Sequence, residues 1–454
     1  MTTIDVRNGR LSQERLDLNF SDSHPPLEPG NALVEANRCY FCYDAPCIEA
    51  CPTSIDIPSF IRKISTGNLK GSAKDILSQN IMGGMCARVC PTETLCEGAC
   101  VRETQDHQPV RIGELQRYAT DSFIESGETF FERAESSGKK IAVVGGGPAG
   151  LSCAHRLAVL GHQAVVFEAR EKLSGLNEYG IAPYKTVNDF AQLEVDYILK
   201  IGGIEVRTNQ KLGHDVKLDN LRKQFDAVFL SVGLGDANSL GLENEEIAGV
   251  YDAIETIAEL RQSENLAELS VGRRVVVIGG GSTAIDIAVE SKKLGAEDVT
   301  MVYRRGPEQM NATWKEQEFA QTNGVQVKHW LSPKKLKSEN GHVSGIEFEC
   351  TELNHEGKLS VTGEVRSMEV DVVFKAIGQT LDNSLDSDDE MPLTRAGKFA
   401  VNAEYETSLP GVWAGGDCIN SGEDLTVQAV EDGKQAAIAI HRKLSGKHES
   451  LKAT

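Results

Sequence analysis

The chain has 454 residues, enough for roughly three domains, and its 40% of hydrophobic residues can form buried cores. A net charge of −20 argues against nucleic acid as a partner, because nucleic-acid-binding proteins present a basic surface. No apolar run approaches the roughly 20 residues that span a bilayer, and the polar start does not resemble a signal peptide. We therefore expect a cytoplasmic protein that avoids membranes and nucleic acid.

Cysteine usage divides the chain. Residues 1–135 contain eight of the 11 cysteines and short helical patterns, which predicts a small all-α domain. In the cytoplasm these thiols should be reduced, so metal or redox chemistry is favoured over disulfides. From Lys140 onward the pattern changes to strand, glycine-rich turn and helix, and it recurs at Arg273. The fold class predicted is α/β with two Rossmann-like domains behind the helical one.

Two cysteine runs dominate the helical domain. They read Cys39-x2-Cys42-x4-Cys47-x3-Cys51-Pro52 and Cys86-x3-Cys90-Pro91-x4-Cys96-x3-Cys100. Closely spaced thiolates ending in Cys-Pro are typical of iron–sulfur proteins, in which each cluster takes four ligands. A pair of zinc sites is the alternative, although zinc knuckles have two CxxC pairs and these runs contain one.

The number of cysteines would fill two clusters, but their spacing is uneven. Cys86 and Cys90 lie one helical turn apart beside a crowded run. A ligand other than cysteine is therefore a second interpretation for one cluster.

The first glycine fingerprint follows the strand-like run that begins at Lys140. Its glycines allow a tight turn, close approach of a pyrophosphate and close helix packing. The acid at the end of the next apolar run can accept hydrogen bonds from ribose hydroxyls. The predicted contacts are Gly145, Gly147, Pro148, Ala149, Gly150 and Glu168.

The second fingerprint follows the run that begins at Arg273. Arginines replace the acid after the next strand, and arginines there can pair with a 2′-phosphate. This favours NADPH, while two solvated arginines and NADH remain the alternative. The predicted contacts are Gly279, Gly281, Ser282, Thr283, Ala284, Arg304 and Arg305.

A late segment, Val412–Asp417, precedes a helix expected to begin near Thr426. In flavoenzymes with two nucleotides, this arrangement places an acid, here Asp417, and a helix N-terminus beside FAD. The FAD domain is then split into residues 139–242 and 381–454, with the nicotinamide domain, 243–380, inserted. The crossovers are 231–235 and 375–379, and the second supplies three further predicted contacts: Ala376, Ile377 and Gly378.

The remaining cysteines, Cys153, Cys350 and Cys418, are isolated in the sequence. No CxxC pair accompanies either nucleotide-binding unit, so a disulfide-reductase mechanism is not expected. Electrons that leave the flavin need another acceptor, and the cysteine-rich domain can supply it.

Three segments carry a resemblance to a known family: CYFCYDAPCIEACPTSIDIPSFI, NIMGGMCARVCPTETLCEGAC and PVRIGELQRYATD. With them the chain resembles the glutamate synthase small-subunit family along nearly its full length. Within that group it is most similar to the N-terminal half of dihydropyrimidine dehydrogenase. The tight Cys42-x4-Cys47-x3-Cys51 spacing resembles a bacterial, two-chain form of the pyrimidine enzyme.

The resemblance implies a ligand set for two [4Fe–4S] clusters and leaves Cys86 as a spare. Gln116 replaces one thiolate, which removes a negative charge and should alter the potential. From spacing alone, Gln116 would be interpreted as a helix-surface amide. The first implied set is Cys39, Cys42, Cys47 and Cys100, and the second is Cys51, Cys90, Cys96 and Gln116.

The flavin loop departs from the family pattern. It reads Ser174-Gly175-Leu176, and the arginine expected after it is missing. The resemblance still implies that Gly175 and Leu176 contact FAD. Lys185 is a candidate replacement for the missing cation.

The resemblance implies an NAD(P)H-dependent oxidoreductase subunit. Electrons would pass from NAD(P)H through FAD and two clusters to an FMN-containing partner that reduces uracil or thymine, so a hetero-oligomer is expected. The alternatives are the small subunit of glutamate synthase or of another electron-transfer complex, and a scaffold protein with degenerate cofactor sites. No catalytic side chain is predicted, because the cofactors supply the chemistry.

Overall fold

The computed structural model describes residues 10–382, 385, 391, 393–394 and 397–446. These residues form two compact units. The first unit comprises residues 10–23, Tyr179–Val187 and Asp236–Thr380, and the second comprises His24–Glu178, Asn188–Gly235 and the described residues from Leu381 onward. The ends of the predicted domains, 1–9 and 447–454, lie outside the described residues.

The cysteine-rich part of the second unit is helical. Helix α4 buries apolar side chains spaced three and four residues apart, and the Asp56 side chain accepts from Ser59 N–H at its start. Helix α5 is capped in the same way by Asn68. After α1 (Gln13–Asn19) of the first unit, the helices are α2 (Pro29–Ala36), α3 (Pro46–Glu49), α4 (Ile57–Ser65), α5 (Leu69–Gln79), α6 (Gly83–Val89), α7 (Val101–Asp106) and α8 (Ile112–Glu125).

A five-stranded parallel sheet follows in the second unit, in the order β15-β4-β1-β2-β3. Its strands are β1 (Lys140–Val144), β2 (Gln163–Phe167), β3 (Ile204–Arg207), β4 (Ala227–Leu230) and β15 (Val412–Ala414). The accompanying helices are α9 (Pro148–Val159), α10 (Leu176–Tyr179), α11 (Phe190–Leu199), α12 (Leu218–Gln224) and α16 (Thr426–Ser445). Because β15 pairs with β4, the sheet that starts at Lys140 is completed only after residue 411.

The first unit has its own five-stranded parallel sheet, in the order β6-β13-β7-β8-β9. Those strands are β6 (Val250–Asp252), β7 (Arg274–Ile278), β8 (Asp298–Tyr303), β9 (Gln326–His329) and β13 (Val372–Lys375). A three-stranded antiparallel sheet contains β10 (Leu331–Glu339), β11 (His342–Leu353) and β12 (Leu359–Glu369). The remaining helices are α13 (Ala253–Gln262), α14 (Ser282–Lys293) and α15 (Trp314–Thr322).

The two ends of the inserted unit meet in a small antiparallel pair. Strand β5 (Asp236–Ala237) follows the first predicted crossover, and β14 (Gln379–Thr380) ends the second. Gln379 pairs with Ala237, and Thr380 pairs with Asp236. The chain thus enters and leaves the first unit at neighbouring positions.

Two short segments, residues 10–23 and Tyr179–Val187, belong to the first unit, although the sequence predicted them in the helical domain and the flavin domain. Leu16 on α1 is buried in that unit's core, and the Asn19 amide donates to the Lys293 carbonyl oxygen at 2.7 Å. Residues 179–187 contribute the fully buried Tyr184 to the same core. The two units therefore differ from the predicted division, in which residues 1–135 form the helical domain and 139–242 belong to the flavin domain.

Among the described residues, no helix is both long and apolar enough to cross a membrane.

Candidate functional site

The cysteines of the helical region line two separate cavities. The first is lined by the thiols of Cys39, Cys42, Cys47 and Cys100, together with apolar side chains such as Ile61. Each cavity, together with the open solvent at its mouth, encloses about 380 Å³ of space that no protein atom fills. The first cavity therefore brings together the four residues of the first implied ligand set.

The second cavity contains the other implied set and one additional thiol. It is lined by Cys51, Cys86, Cys90, Cys96 and Gln116, and by Asn80 and Val427. Among the described residues, no three His, Cys, Asp or Glu side chains converge closely enough to hold a single metal ion. The thiols instead surround spaces that are suited to a group larger than one ion.

The electrostatics of these thiols fit a cationic iron core. Burial, followed by neighbouring thiols, raises the pKa of Cys47 to about 12. Burial also raises the pKa of Cys96, and a hydrogen bond with Cys86 followed by burial raises that of Cys90. Iron ligands are thiolates, so cluster binding must release these protons. A bound iron core would supply positive charge that compensates the thiolate anions, which burial otherwise disfavours.

Gln116 is held in an orientation that leaves its oxygen available for other contacts. It lies on α8, is 8% exposed, and its Nε2 donates to the Gly83 carbonyl oxygen at 2.7 Å. Cys86 lines the same cavity and forms a hydrogen bond with Cys90. The geometry therefore keeps Gln116 and Cys86 within reach of a group bound in the cavity. The role of Gln116 as ligand and of Cys86 as spare stays a prediction.

The first glycine fingerprint connects β1 to α9 with little room for side chains. A Cβ at Gly145 would come within 2.2 Å of the Ser231 carbonyl oxygen, and one at Gly150 within 1.9 Å of the Gly145 carbonyl oxygen. Gly147 is the N-cap, and Pro148 and Ala149 begin the helix. A Cβ at Gly147 would meet only Gly175 Cα, at 3.8 Å. This open helix N-terminus fits a pyrophosphate.

Glu168 follows β2 directly and is fixed by two backbone donors. Gly146 N–H and Arg170 N–H donate to its two carboxylate oxygens at 2.7 and 2.8 Å. Burial raises its pKa, and these hydrogen bonds oppose the shift. Each oxygen keeps a further lone pair for a ribose hydroxyl.

The loop at Ser174 contains polar atoms that need a partner. Ser174 has a φ of +90°, and Ser174 Oγ and Asn177 Nδ2 are buried without a hydrogen-bond partner among the described residues. The Thr426 hydroxyl donates to Asn177 Oδ1 at 2.9 Å, which joins the start of α16 to this loop. The loop also contains Gly175 and the partly exposed Leu176. Such orphaned donors fit a polar cofactor, and FAD meets that requirement.

Asp417 lies in the turn between β15 and α16. Burial and then Asp424 raise its pKa to about 6. A Cβ at the preceding Gly416 would come 3.1 Å from Ala149 Cβ, so the turn reaches the start of α9. The fold therefore brings Asp417, Thr426 and the first fingerprint to one edge of the sheet.

The second fingerprint connects β7 to α14. A Cβ at Gly279 would come within 2.2 Å of the Ala376 carbonyl oxygen, which places the fingerprint against the predicted segment Ala376, Ile377 and Gly378. Gly281 is the N-cap of α14, which continues with Ser282, Thr283 and the buried Ala284. A Cβ at Gly281 would meet only Asn311 Cβ, at 4.0 Å. The helix N-terminus is open, as a pyrophosphate requires.

Arg304 and Arg305 follow β8 at the edge where α14 begins. Arg304 is exposed and Arg305 is partly exposed. Their backbone carbonyls accept from the Thr351 hydroxyl and from Trp330 N–H. Within the described part of the chain, no ion pair involves either guanidinium. Both remain candidates for a 2′-phosphate.

Lys185 does not offer a free cation to the flavin loop. Its ammonium pairs with Asp286 at 2.6 Å and approaches Glu316 at 3.8 Å, and all three residues belong to the first unit. Asp286 also accepts from the Tyr184 hydroxyl at 3.2 Å. That Lys185 replaces the missing arginine stays a prediction, and two carboxylates already compensate its charge.

Three polar residues at these sites were missed by sequence reasoning. Asn177 lies beside the flavin loop, Asn80 lies on the wall of the second cavity, and Lys434 on α16 is buried beside the Cys51 segment. None belongs to a recognisable motif. Only the GGD-to-helix spacing around α16 hinted that this helix lies beside a cofactor.

Comparison with known proteins agrees with this geometry. The family described as dihydropyrimidine dehydrogenase domain II, 4Fe-4S cluster, matches residues 17–128. The family described as pyridine nucleotide-disulphide oxidoreductase matches residues 139–433. Together the two matches cover the helical region and both parallel sheets.

Curated relatives match along most of their length. The glutamate synthase [NADPH] small chain of Escherichia coli K12 is 34% identical over 446 residues, covering 93% of each chain. The NAD-dependent dihydropyrimidine dehydrogenase subunit PreT of Escherichia coli K12 is 33% identical, covering 91% of this chain and 95% of its own. The PreT homolog of Salmonella typhi is 32% identical, with 94% and 98% coverage.

Solved structures share the nucleotide-binding fold. FprA from Mycobacterium tuberculosis in complex with NADPH matches with a TM-score of 0.57 at 19% identity, covering 68% of this chain and 85% of its own. Thioredoxin reductase of T. acidophilum matches with a TM-score of 0.54 at 20% identity, covering 67% and 99%. The family resemblance, the α/β fold class and the NAD(P)H-dependent oxidoreductase activity predicted from the sequence are confirmed. The chain belongs to the family of iron–sulfur, flavin-dependent NAD(P)H oxidoreductases that includes the glutamate synthase small chain and PreT.

Proposed function

We propose that this chain is the electron-input subunit of a dihydropyrimidine dehydrogenase. It would oxidise NAD(P)H through FAD and pass electrons through two [4Fe–4S] clusters to an FMN-containing partner, which reduces uracil or thymine to the 5,6-dihydropyrimidine. The PreT relatives and the tight cysteine spacing support this choice of substrate.

The observation that carries the proposal is the position of the two cavities along one path. Val427 lines the second cavity and follows Thr426, the residue at the predicted flavin edge. The first cavity has Tyr40 and Val101 on its wall, and these are 48% and 37% exposed. Tyr43, between two cysteines of that cavity, is 98% exposed. Ile57 lines both cavities. These positions support a path from the proposed flavin edge, through the second cavity and then the first, to the surface.

The protein's own contribution is positioning. FAD supplies the hydride chemistry, and reacting atoms must be held about 3–3.5 Å apart for it. Glu168 and the N-terminus of α9 would fix the adenosine and pyrophosphate part of FAD. Asp417 and Thr426 would fix the flavin part. Hydride transfer depends on this alignment, so no acid or base has to act on the nicotinamide.

The choice between NADPH and NADH is assigned to Arg304 and Arg305. Replacing both with alanine should weaken NADPH at least tenfold, about 1.4 kcal/mol, and leave NADH nearly unchanged, because only NADPH has a 2′-phosphate. The apparent Kd for each cofactor, from flavin reduction in rapid mixing, measures this. Equal weakening of both cofactors would refute the 2′-phosphate role.

A second candidate function is the small subunit of a glutamate synthase. The 34% identity to the glutamate synthase small chain of Escherichia coli favours it directly. The two functions share every element of this chain and differ only in the partner polypeptide.

Purification with the partner distinguishes the two functions. The chain is produced with the product of the neighbouring gene, and the complex is assayed with NAD(P)H and uracil, and separately with 2-oxoglutarate plus glutamine. We expect dihydrouracil to form only when both chains are present. Glutamate formation without dihydrouracil would replace the pyrimidine proposal with the second candidate.

A further inference from the structure

Asn80 presents a buried hydrogen-bond donor to the second cavity. The residue is fully buried and lines the cavity wall. Its Oδ1 accepts from Met82 N–H at 3.0 Å, which fixes the orientation of the amide. Its Nδ2 has no hydrogen-bond partner within the described ranges. A buried donor without a partner is costly, so the acceptor is expected in the group that the cavity takes.

Lys434 places a buried cation behind the same wall. Its ammonium donates to the carbonyl oxygens of Thr53, at 3.3 Å, and Gln79, at 3.0 Å. These residues adjoin two that line the cavity, since Thr53 Oγ1 lies 3.3 Å from Cys51 Sγ and Gln79 precedes Asn80. Lys434 therefore connects α16 to both segments that border the cavity.

The charges around Lys434 leave a positive balance. Lys434 pairs with Glu431 on the same helix at 2.6 Å. Arg156 on α9, whose pKa is lowered by burial against the opposing influence of Glu431, donates to the Ser78 carbonyl oxygen at 3.0 Å. Glu431 is therefore paired with Lys434 and also influences Arg156, and all three side chains are largely shielded from water.

We propose that Asn80 and Lys434 raise the reduction potential of the iron–sulfur cluster taken by the second cavity. This rests on the cluster assignment in the proposed function and adds two residues that tune it. Reduction adds one electron, delivered from the flavin, and breaks no bond. The added negative charge is stabilised by a hydrogen bond to cluster sulfur and by a nearby cation, both of which set such potentials.

The Asn80 test removes the donor in two ways. Asn80→Asp keeps an acceptor for Met82 N–H and exchanges the amide for a carboxylate, whereas Asn80→Leu removes the donor without adding charge. Midpoint potentials are measured by redox titration followed by electron paramagnetic resonance on the full, cluster-loaded chain. We expect one of the two cluster midpoints to become more negative in both variants, while the other stays in place.

The Lys434 test uses the sign of the charge. Lys434→Met should lower that midpoint, Glu431→Gln should raise it, and the double variant should return it close to the wild-type value. Lys443→Met is the matched control, since Lys443 lies on the same helix with a half-exposed side chain paired with Glu406. If these residues had a purely structural role, the midpoint potential would not shift in opposite directions in Lys434→Met and Glu431→Gln.

The proposal is overturned if neither midpoint moves in any iron-replete variant, or if Lys434→Met and Glu431→Gln shift the midpoint in the same direction. The titration uses chemical mediators and needs neither partner nor pyrimidine. Its failure is therefore distinguishable from failure of the proposed function, which the partner assay tests.

Discussion

Gly281 shows how a single residue separates the requirements of the fold from those of the cofactor. Its backbone is extended, with φ −108° and ψ 178°, a conformation open to any residue. A Cβ there would have no neighbour closer than 4.0 Å. The fold therefore does not require glycine at 281, whereas a pyrophosphate that approaches the helix N-terminus does.

Gly281→Ala should leave the melting temperature unchanged and weaken NAD(P)H binding at least tenfold, about 1.4 kcal/mol. Thermal unfolding and cofactor titration of the same preparation measure the two effects. Gly30→Ala is the control, because a Cβ at Gly30 would also have open space around it, but this residue lies on α2. Destabilisation without loss of affinity would contradict this account.

Gln116 and Cys86 give a second contrast between residues. Both line the second cavity, but the resemblance assigns the ligand role to Gln116 alone. Gln116→Leu should reduce iron from about eight to about four per chain, whereas Cys86→Ser should retain about eight. Iron and sulfide analysis of anaerobic preparations measures this. Loss of iron in Cys86→Ser with full iron in Gln116→Leu would exchange the two roles.

Between elements, α11 contacts the cysteine-bearing α6 through the buried carboxylate of Glu194 and through Phe190, on whose ring Arg88 stacks. Glu194 Oε1 accepts from Gly84 N–H at 2.8 Å and from Met85 N–H at 3.1 Å. Burial is the largest cause that raises the pKa of Glu194 to about 8, against the influence of Arg88. We therefore expect Glu194 to hold a proton in the folded protein at neutral pH.

This contact predicts a pH dependence of stability. Between pH 4.5, the ordinary pKa of the carboxyl, and about 8, the unfolded chain is ionised while the folded chain holds the proton, so stability falls as pH rises. Glu194→Gln keeps a carbonyl acceptor and cannot ionise. Its free energy of unfolding should exceed the wild-type value by on the order of 4 kcal/mol at pH 8 and show almost no gain at pH 4.5.

Urea unfolding from pH 4.5 to pH 9 tests this contact, with Glu125→Gln, an exposed change on α8, as the control. A gain in Glu194→Gln that does not grow with pH would rule out the assigned protonation state.

Sequence patterns predicted the elements that follow local rules. The strand–glycine–helix units and the start of α16 at Thr426 are where the spacing indicates, because close packing of the glycines leaves few alternatives. The cysteine positions likewise predicted the domain that carries them. The antiparallel sheet β10–β12 was not predicted, and its edge strand β12 is largely exposed and lacks a sustained apolar face.

Contacts between distant residues were beyond sequence reasoning. Glu194 lies 110 residues from Gly84, and Lys434 lies 381 residues from Thr53. No local pattern links such positions, because a buried polar residue is recognised only once its partners are known. Asn80 is the same case, as its significance comes from an unpaired amide on a cavity wall.

In the whole molecule, elements that are neighbours in space lie far apart along the chain. Strand β15 completes a sheet that began 272 positions earlier at Lys140, and α16 then brings Val427 to the second cavity. The proposed flavin edge at Thr426 and the cysteine-lined cavities consequently lie within one unit. This arrangement supports direct passage of electrons between them.

The most direct test of electron passage is a reductive titration of the isolated chain under anaerobic conditions. FAD accepts two electrons and each cluster accepts one, so the account predicts an uptake of about four electrons per chain. Two of these should bleach the flavin band and two should bleach the broader iron–sulfur absorption. An uptake of about two electrons, confined to the flavin band in an iron-replete preparation, would contradict it.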